Sequence, residues 1–252
     1  MRMPFLCNMT IREIVVRQVG LLVLLLTVVL GAMGQGGMGR RNLAAFDTKQ
    51  YHFGFALSGN SAGFRVNMAQ LDSVSGGLLG IENKPQSGFN LAMIASWNFN
   101  KYFRVRFLPG LSFQDRALIY NFKNDDGSID PVTRRTESVY LDFPLAVKLR
   151  TERVGNVAAY GLVGAKISKD MQSQEDVNQA LLEEYLLILD SRNSSFDFGA
   201  GVDIFLPFFK FSIEGKFELG RRNVLFQDNN AFANPIESLR TRSFILSLCF
   251  EG

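Results

Sequence analysis

From Phe209 to Leu219 the chain alternates strictly: Phe209, Phe211, Ile213, Phe217 and Leu219 share one parity, and Lys210, Ser212, Glu214, Lys216 and Glu218 the other. A period of two places the sets on opposite faces of a β-strand. At least six further stretches repeat the pattern, and in the fifth strand glycines and alanines blur it. The first strand opens with Tyr51, Phe53, Phe55 and Leu57, and Phe64 to Met68 is an ambiguous extension of it. The second carries Phe89, Leu91, Met93, Ala95, Trp97 and Phe99 on one face, and only Asn100-Lys101 separates it from the third, with Phe103, Val105, Phe107, Leu111 and Phe113. The fourth runs from Val139 to Leu149, the fifth over 157–167, and the sixth sets Phe196, Phe198, Ala200, Val202, Ile204 and Leu206 opposite Asp197, Gly199, Gly201 and Asp203. The eighth ends the chain with Phe244, Leu246, Leu248 and Phe250. Pro109 and Pro144 interrupt two ladders and read as bulges or rim positions, because proline donates no ladder hydrogen bond.

The connections alternate too. Long polar stretches follow the first, third, fifth and seventh strands, at 59–87, 120–136, 168–195 and 221–242, and short turns follow the others. Short turns therefore share one end and long loops the other. The fold class is all-β: an eight-stranded antiparallel up-and-down transmembrane barrel, with short periplasmic turns, long external loops, and a lipid-facing apolar band. A soluble barrel with the Phe face turned inward around a small ligand is the rival. It explains less well why small inward glycines oppose a bulky face in the sixth strand. Ser173, Asp176, Val177, Leu181 and Tyr185 predict a helical turn or two in the third loop.

Composition adds an address. Arg2, Arg12 and Arg17 precede an apolar run from Val19 to Met33, ending in small residues before Gln35. That is the layout of a cleaved export signal over 1–34, and the run is short for a membrane anchor. Residues 35–50 read as a periplasmic lead-in and 51–252 as the barrel. Removing Arg2, Arg12, Arg17 and Glu13 with the signal takes the formal charge from +3 to +1, which gives no footprint for nucleic acid. Cys7 leaves with the signal, so Cys249 is a lone, structural thiol.

The inward parity of the barrel collects Arg104, Arg106, Lys148, Lys210 and Lys216 with Asp142, Asp197, Asp203, Glu214 and Glu218. An eight-stranded interior is about filled by side chains, so this balanced set predicts ion pairs plugging the lumen. Glu214 and Glu218, with Lys216 between them, fit structural pairing better than acid–base chemistry. His52, the single histidine, reads as an interior or rim residue near the periplasmic end. No catalytic, cofactor-binding or metal-binding residue is assigned, and no small-molecule substrate is expected.

Several stretches resemble the PorT family of Bacteroidetes outer-membrane barrels: FRVRFLPGLSFQDRALIYNF (103–122), ESVYLDFPLAVKLR (137–150), FDFGAGVDIFLPFFKFSIEGKFELG (196–220) and IESLRTRSFILSLCFEG (236–252). The resemblance implies a non-enzymatic component of the type IX secretion system, associated also with gliding, whose partners are outer-membrane lipid and other secretion components. It supplies no catalytic residues to carry over. The competing expectations are a stand-alone structural or adhesin-type barrel and an outer-membrane enzyme. A narrow lumen would leave partner contacts to the loops around Asp125 to Arg135 and Gln174 to Tyr185.

Overall fold

The computed structural model describes residues 41–68, 78–123, 128–172, 190–225 and 235–252. The expected signal at 1–34 and the helical turn near 173–185 lie outside them. From Asn42 onward these residues form one compact unit. A short 3-10 helix, Ala44–Asp47, precedes the strands β1 (Tyr51–Met68), β2 (Leu78–Asn98), β3 (Phe103–Phe107), β4 (Gly110–Lys123), β5 (Ile129–Arg150), β6 (Val157–Asp170), β7 (Arg192–Phe205), β8 (Lys210–Gly220) and β9 (Ile236–Glu251).

All pairings are antiparallel, and β1 pairs with both β2 and β9, so the sheet closes on itself. Both β3 and β4 lie between β2 and β5. They are one stave, broken at Leu108 and Pro109. The break preserves pairing on both sides, since Leu108 N–H donates to Pro144 O and Met93 N–H to Pro109 O. With β3 and β4 counted as one, the ring has eight staves, and the bulge expected at Pro109 is present. Pro144 stays within β5 opposite Lys166.

Outside, the expected apolar parity forms a belt of exposed side chains, among them Phe53, Phe55, Met93, Leu145, Val163, Phe196, Ile213 and Leu248. Cross-strand aromatic pairs run along it, with ring centroids 4.9 Å apart for Phe55 and Phe250 and 4.5 Å for Phe89 and Phe113. The end bearing the short connections after β2, β5 and β7 is the turn end, and the other is the loop end.

At the loop end the strands run farther than the sequence pattern suggests. The wall of β1 continues to Met68 and β2 begins at Leu78, so most of the expected first loop is strand. Likewise β4 reaches Lys123 and pairs there with Ile129 of β5. Most of the loop expected at 120–136 is thus a hairpin stem, and Ile129 to Arg135 belong to the wall. The cause is a phase change. In β1 the outward residues are Phe53, Phe55 and Leu57, but beyond Gly59 the large apolar residues are Phe64, Val66 and Met68, which point inward, while Arg65 and Asn67 point outward. In β4, Leu111 and Phe113 face out, whereas Leu118 and Tyr120 are buried inside. Alternation persists across the switch while its sense inverts. The chain there resembles a water-soluble barrel, polar outside and apolar within.

Candidate functional site: the barrel lumen

Within the apolar belt the lumen is a ladder of ion pairs. Arg106, Lys148 and Lys210 are among the largest fully buried side chains. Arg106 Nη1 lies 2.6 Å from Glu214 Oε2, which also accepts from Tyr160 Oη at 2.8 Å, while Lys216 is 3.2 Å from the other oxygen. Gly201 makes room for this arrangement, because a Cβ there would meet Tyr160 Cζ and Oη at 2.5 Å. Lys148 Nζ donates to Asp203 at 2.8 Å, as does Ser212 Oγ at 2.6 Å. Lys210 pairs with Glu251 at 2.8 Å. One level toward the loop end, Lys166 Nζ sits 3.1 Å from Asp142 and 2.7 Å from Glu218.

The charged residues expected inside are therefore inside. Lys166 and Glu251 complete their pairing. Glu251 shares the inward parity of Ser243, Ser247 and Cys249 in the last strand, whereas Lys166 belongs to a strand whose alternation glycines and alanines blur. Burial of so many charges without pairing would cost several kcal/mol per ion, which the network offsets. A cavity of about 40 Å³ remains among Ser58, Asn90, Asp142, Lys166, Asp197 and Lys216, little more than the space of one water.

At the turn end the lead-in caps the lumen. Phe46 is buried, stacks on His52 with centroids 3.6 Å apart and meets Phe205 edge-on. Asp47 lies 3.0 Å from Arg104, 2.8 Å from Arg150 and 3.4 Å from Arg153. Partial burial alone would raise its carboxyl pKa, but Arg150, Arg104 and Arg153 outweigh this and hold it below the ordinary value. Asn42 anchors the segment, its side-chain amide donating to Phe205 O at 3.0 Å and its N–H to Asn156 Oδ1 at 2.9 Å. Residues 42–47 show no alternation, so the pattern of polarity carried no sign of this role. His52 lies inside, 2.9 Å from Asn98 Nδ2 through Nε2, and Cys249 is buried with Arg106 Nη2 at 3.6 Å from its sulfur.

At the loop end the lumen becomes apolar. Phe64, Leu78, Leu118, Tyr120, Ile236 and Leu239 form a buried cluster with Val224 and Leu225, which follow β8. Val224 N–H donates to Leu239 O and its carbonyl accepts from Asp190 N–H, so the segment after β8 is fastened across this cluster. Arg116 marks the boundary, donating to Tyr140 Oη at 3.1 Å, bonding Gln114 and lying over the Phe64 ring. Among the described residues, no group of three or more His, Cys, Asp or Glu side chains is placed to hold a metal ion.

A belt of lipid-compatible side chains around a closed ionic lumen defines a membrane-spanning β-barrel. Residues 40–225 match the outer membrane protein beta-barrel domain family, and the chain belongs to that family. It is an outer-membrane barrel protein. Similar solved structures include OprG of Pseudomonas aeruginosa, with TM-score 0.45 and 10% identity over 80% of this chain and 94% of that one. Ail, the attachment invasion locus protein of Yersinia pestis, crystallised in complex with the heparin analogue sucrose octasulfate, is another, with TM-score 0.39 and 16% identity over 81% of this chain and all of that one. No curated protein matches the chain.

Proposed function

We propose that this protein is a non-conducting, non-enzymatic barrel that serves protein export across the outer membrane by the type IX route, through contacts with other secretion components. The observation that carries the non-conducting half of this reading is the continuous filling of the lumen, from Phe46 and Asp47 at one mouth through the Arg106–Glu214 pair to Leu118 and Leu239 at the other. A folded cargo needs a wider path, which another component would provide. The secretion role itself rests on the PorT-like strand motifs at 103–122, 137–150, 196–220 and 236–252. In this reading residues 1–34 direct export and are removed, both chain termini face the periplasm, and the loop end faces outside, where 124–128 and 171–191 carry the partner contacts.

Deletion of the gene, followed by assay of exported proteins in the medium, tests the proposal. Loss of export, restored by the wild-type gene, is the expected result; shortening 174–185 should also impair export while leaving the amount of folded barrel unchanged. Normal export in the deletion strain would overturn the secretion role and favour a stand-alone structural or adhesin-type barrel.

A further inference from the structure

The outer surface is uneven where β1, β9, β8, β7 and β6 lie side by side. Just beyond the apolar belt at the loop end, these strands turn Arg65, Arg240, Arg242, Arg192 and Lys169 outward, and Arg221 follows directly on β8, all six exposed. Arg65 is directly opposite Arg240, and Lys169 is directly opposite Arg192. Like charges in that relation repel and destabilise a sheet. Among the described residues none of these cations is in an ion pair, whereas the nearby Arg222 is paired with Asp190 at 3.2 Å. The repulsion is thus uncompensated among the described residues, and an external anion would remove it.

Two grooves lie at and below this ledge. One, of about 170 Å³, is lined by Arg242, Ser61, Gly63, Asn83, Phe217 and Phe244. The other, of about 660 Å³, lies within the belt and is walled by the same Phe217 and Phe244, with Val163 and Phe198. Its floor is a row of small residues in register, Gly161 opposite Ala200 and Ala200 opposite Gly215, flanked by Leu149 and Leu246. No neighbour fills the space over Gly161 or Gly215: a Cβ at either would have nothing nearer than 3.9 Å. A cationic ledge therefore continues, through shared phenylalanine walls, into an apolar slot. From Arg242 to Leu246 the descent is about 13 Å along the strand.

We infer that this face is a specific binding site for a phosphate-bearing lipid, its head group on the arginine ledge and an acyl chain in the slot over Gly161, Ala200 and Gly215. The surface is continuous with the lipid-facing belt, so the occupant is already the neighbouring solvent. The ledge spans roughly 19 Å at the usual strand spacing, which suits a broad head group with more than one phosphate, as in a phosphorylated glycolipid, better than a compact one. Arginine is suited to this contact because its planar fork meets phosphate oxygens two at a time. This inference depends on the membrane location of the barrel and not on its part in secretion.

The test uses full-length protein, purified in detergent and stripped of lipid, with bound lipid counted by native mass spectrometry. The probes are diphosphorylated lipid A, the same lipid dephosphorylated, and phosphatidylcholine. The diphosphorylated probe should bind at least about tenfold more tightly than the other two, a preference that falls as salt is raised. Combined Arg65→Ala, Arg240→Ala and Arg242→Ala should abolish that preference, whereas Arg135→Ala on β5 should leave it intact. Gly215→Leu with Ala200→Leu should weaken binding of the diphosphorylated probe while the barrel stays folded, as judged by its gel mobility without heating. Should the triple variant fail to fold, Arg242→Gln alone must lower the preference several-fold. Equal binding of phosphorylated and dephosphorylated lipid would overturn the site. So would full displacement by inorganic phosphate, or an unchanged preference in the arginine variants.

Discussion

The two halves of the lumen use opposite chemistry on the same inward face. In the half girdled by the apolar belt, the interior holds Arg106, Glu214, Lys148, Asp203, Lys166 and Glu218; in the half beyond the belt it holds Phe64, Leu118, Tyr120 and Leu239. The outer surface changes in the reverse sense, from Phe113 and Val139 to Asp115 and Glu137. A strand wall has two faces and, at each height, one outer solvent. Where lipid is outside, the apolar residues must go out and the polar ones find each other inside. Where water is outside, the hydrophobic effect draws the apolar residues in. Among the described residues the interior is filled in both halves, by paired charge in one and by apolar packing in the other.

The charged half is the more easily disrupted. Lys166→Met leaves Asp142 and Glu218 buried without their shared cation, and it should cost about 3–5 kcal/mol, read by urea unfolding in micelles. Replacing a whole pair, Lys148→Met with Asp203→Leu, should cost much less than either single change, because no charge is stranded. A penalty for the double variant as large as the sum of the singles would mean that the two groups are not coupled and that pairing is not what offsets their burial.

In the apolar half, Leu118→Ala or Leu239→Ala should cost about 2–4 kcal/mol through the cavity each leaves. The loss should appear first as protease cutting near 221–235, since Val224 and Leu225 pack on that cluster. Cutting confined to the turn end would assign the residues to a different unit.

A smaller, pH-dependent effect belongs to Asp47. Its carboxyl titrates below the ordinary value in the folded protein because three arginines surround it. It therefore stabilises the docked lead-in above the unfolded carboxylate pKa, near 4, and this contribution is lost as pH falls through the lower folded value. Protease access to 42–50 should rise on acidification through that window, and Asp47→Asn should show the raised access already at neutral pH. The smallest effect is expected at Asp115, outward and directly opposite Glu137. Asp115→Asn removes a like-charge contact and should be neutral or stabilising by a few tenths of a kcal/mol.

The same inversion explains what could be read from the chain. Strand positions within the belt were plain because Phe, Leu and Val keep one parity over Phe209–Leu219 or Phe89–Phe99. Past Gly59 and Phe113 the parity reverses, so strand continuation resembled a polar connection. The inward charges were legible from parity alone, but not their partners. Register brings Lys166 to Asp142 and Glu218 from three different strands, and no local spacing encodes that. The cap formed by Phe46 and Asp47 was illegible for another reason: its residues have no periodic pattern, and their contacts, Arg104, Arg150, Arg153 and Phe205, are supplied by the closed ring.

A lumen filled along its length passes no ions, and conductance of the wild-type protein in planar bilayers reads this property. A baseline without stable single-channel steps is expected, across applied voltages and at high salt. Large, long-lived and uniform steps from correctly folded protein would contradict it, because ions would then be crossing both the charged network and the apolar cluster.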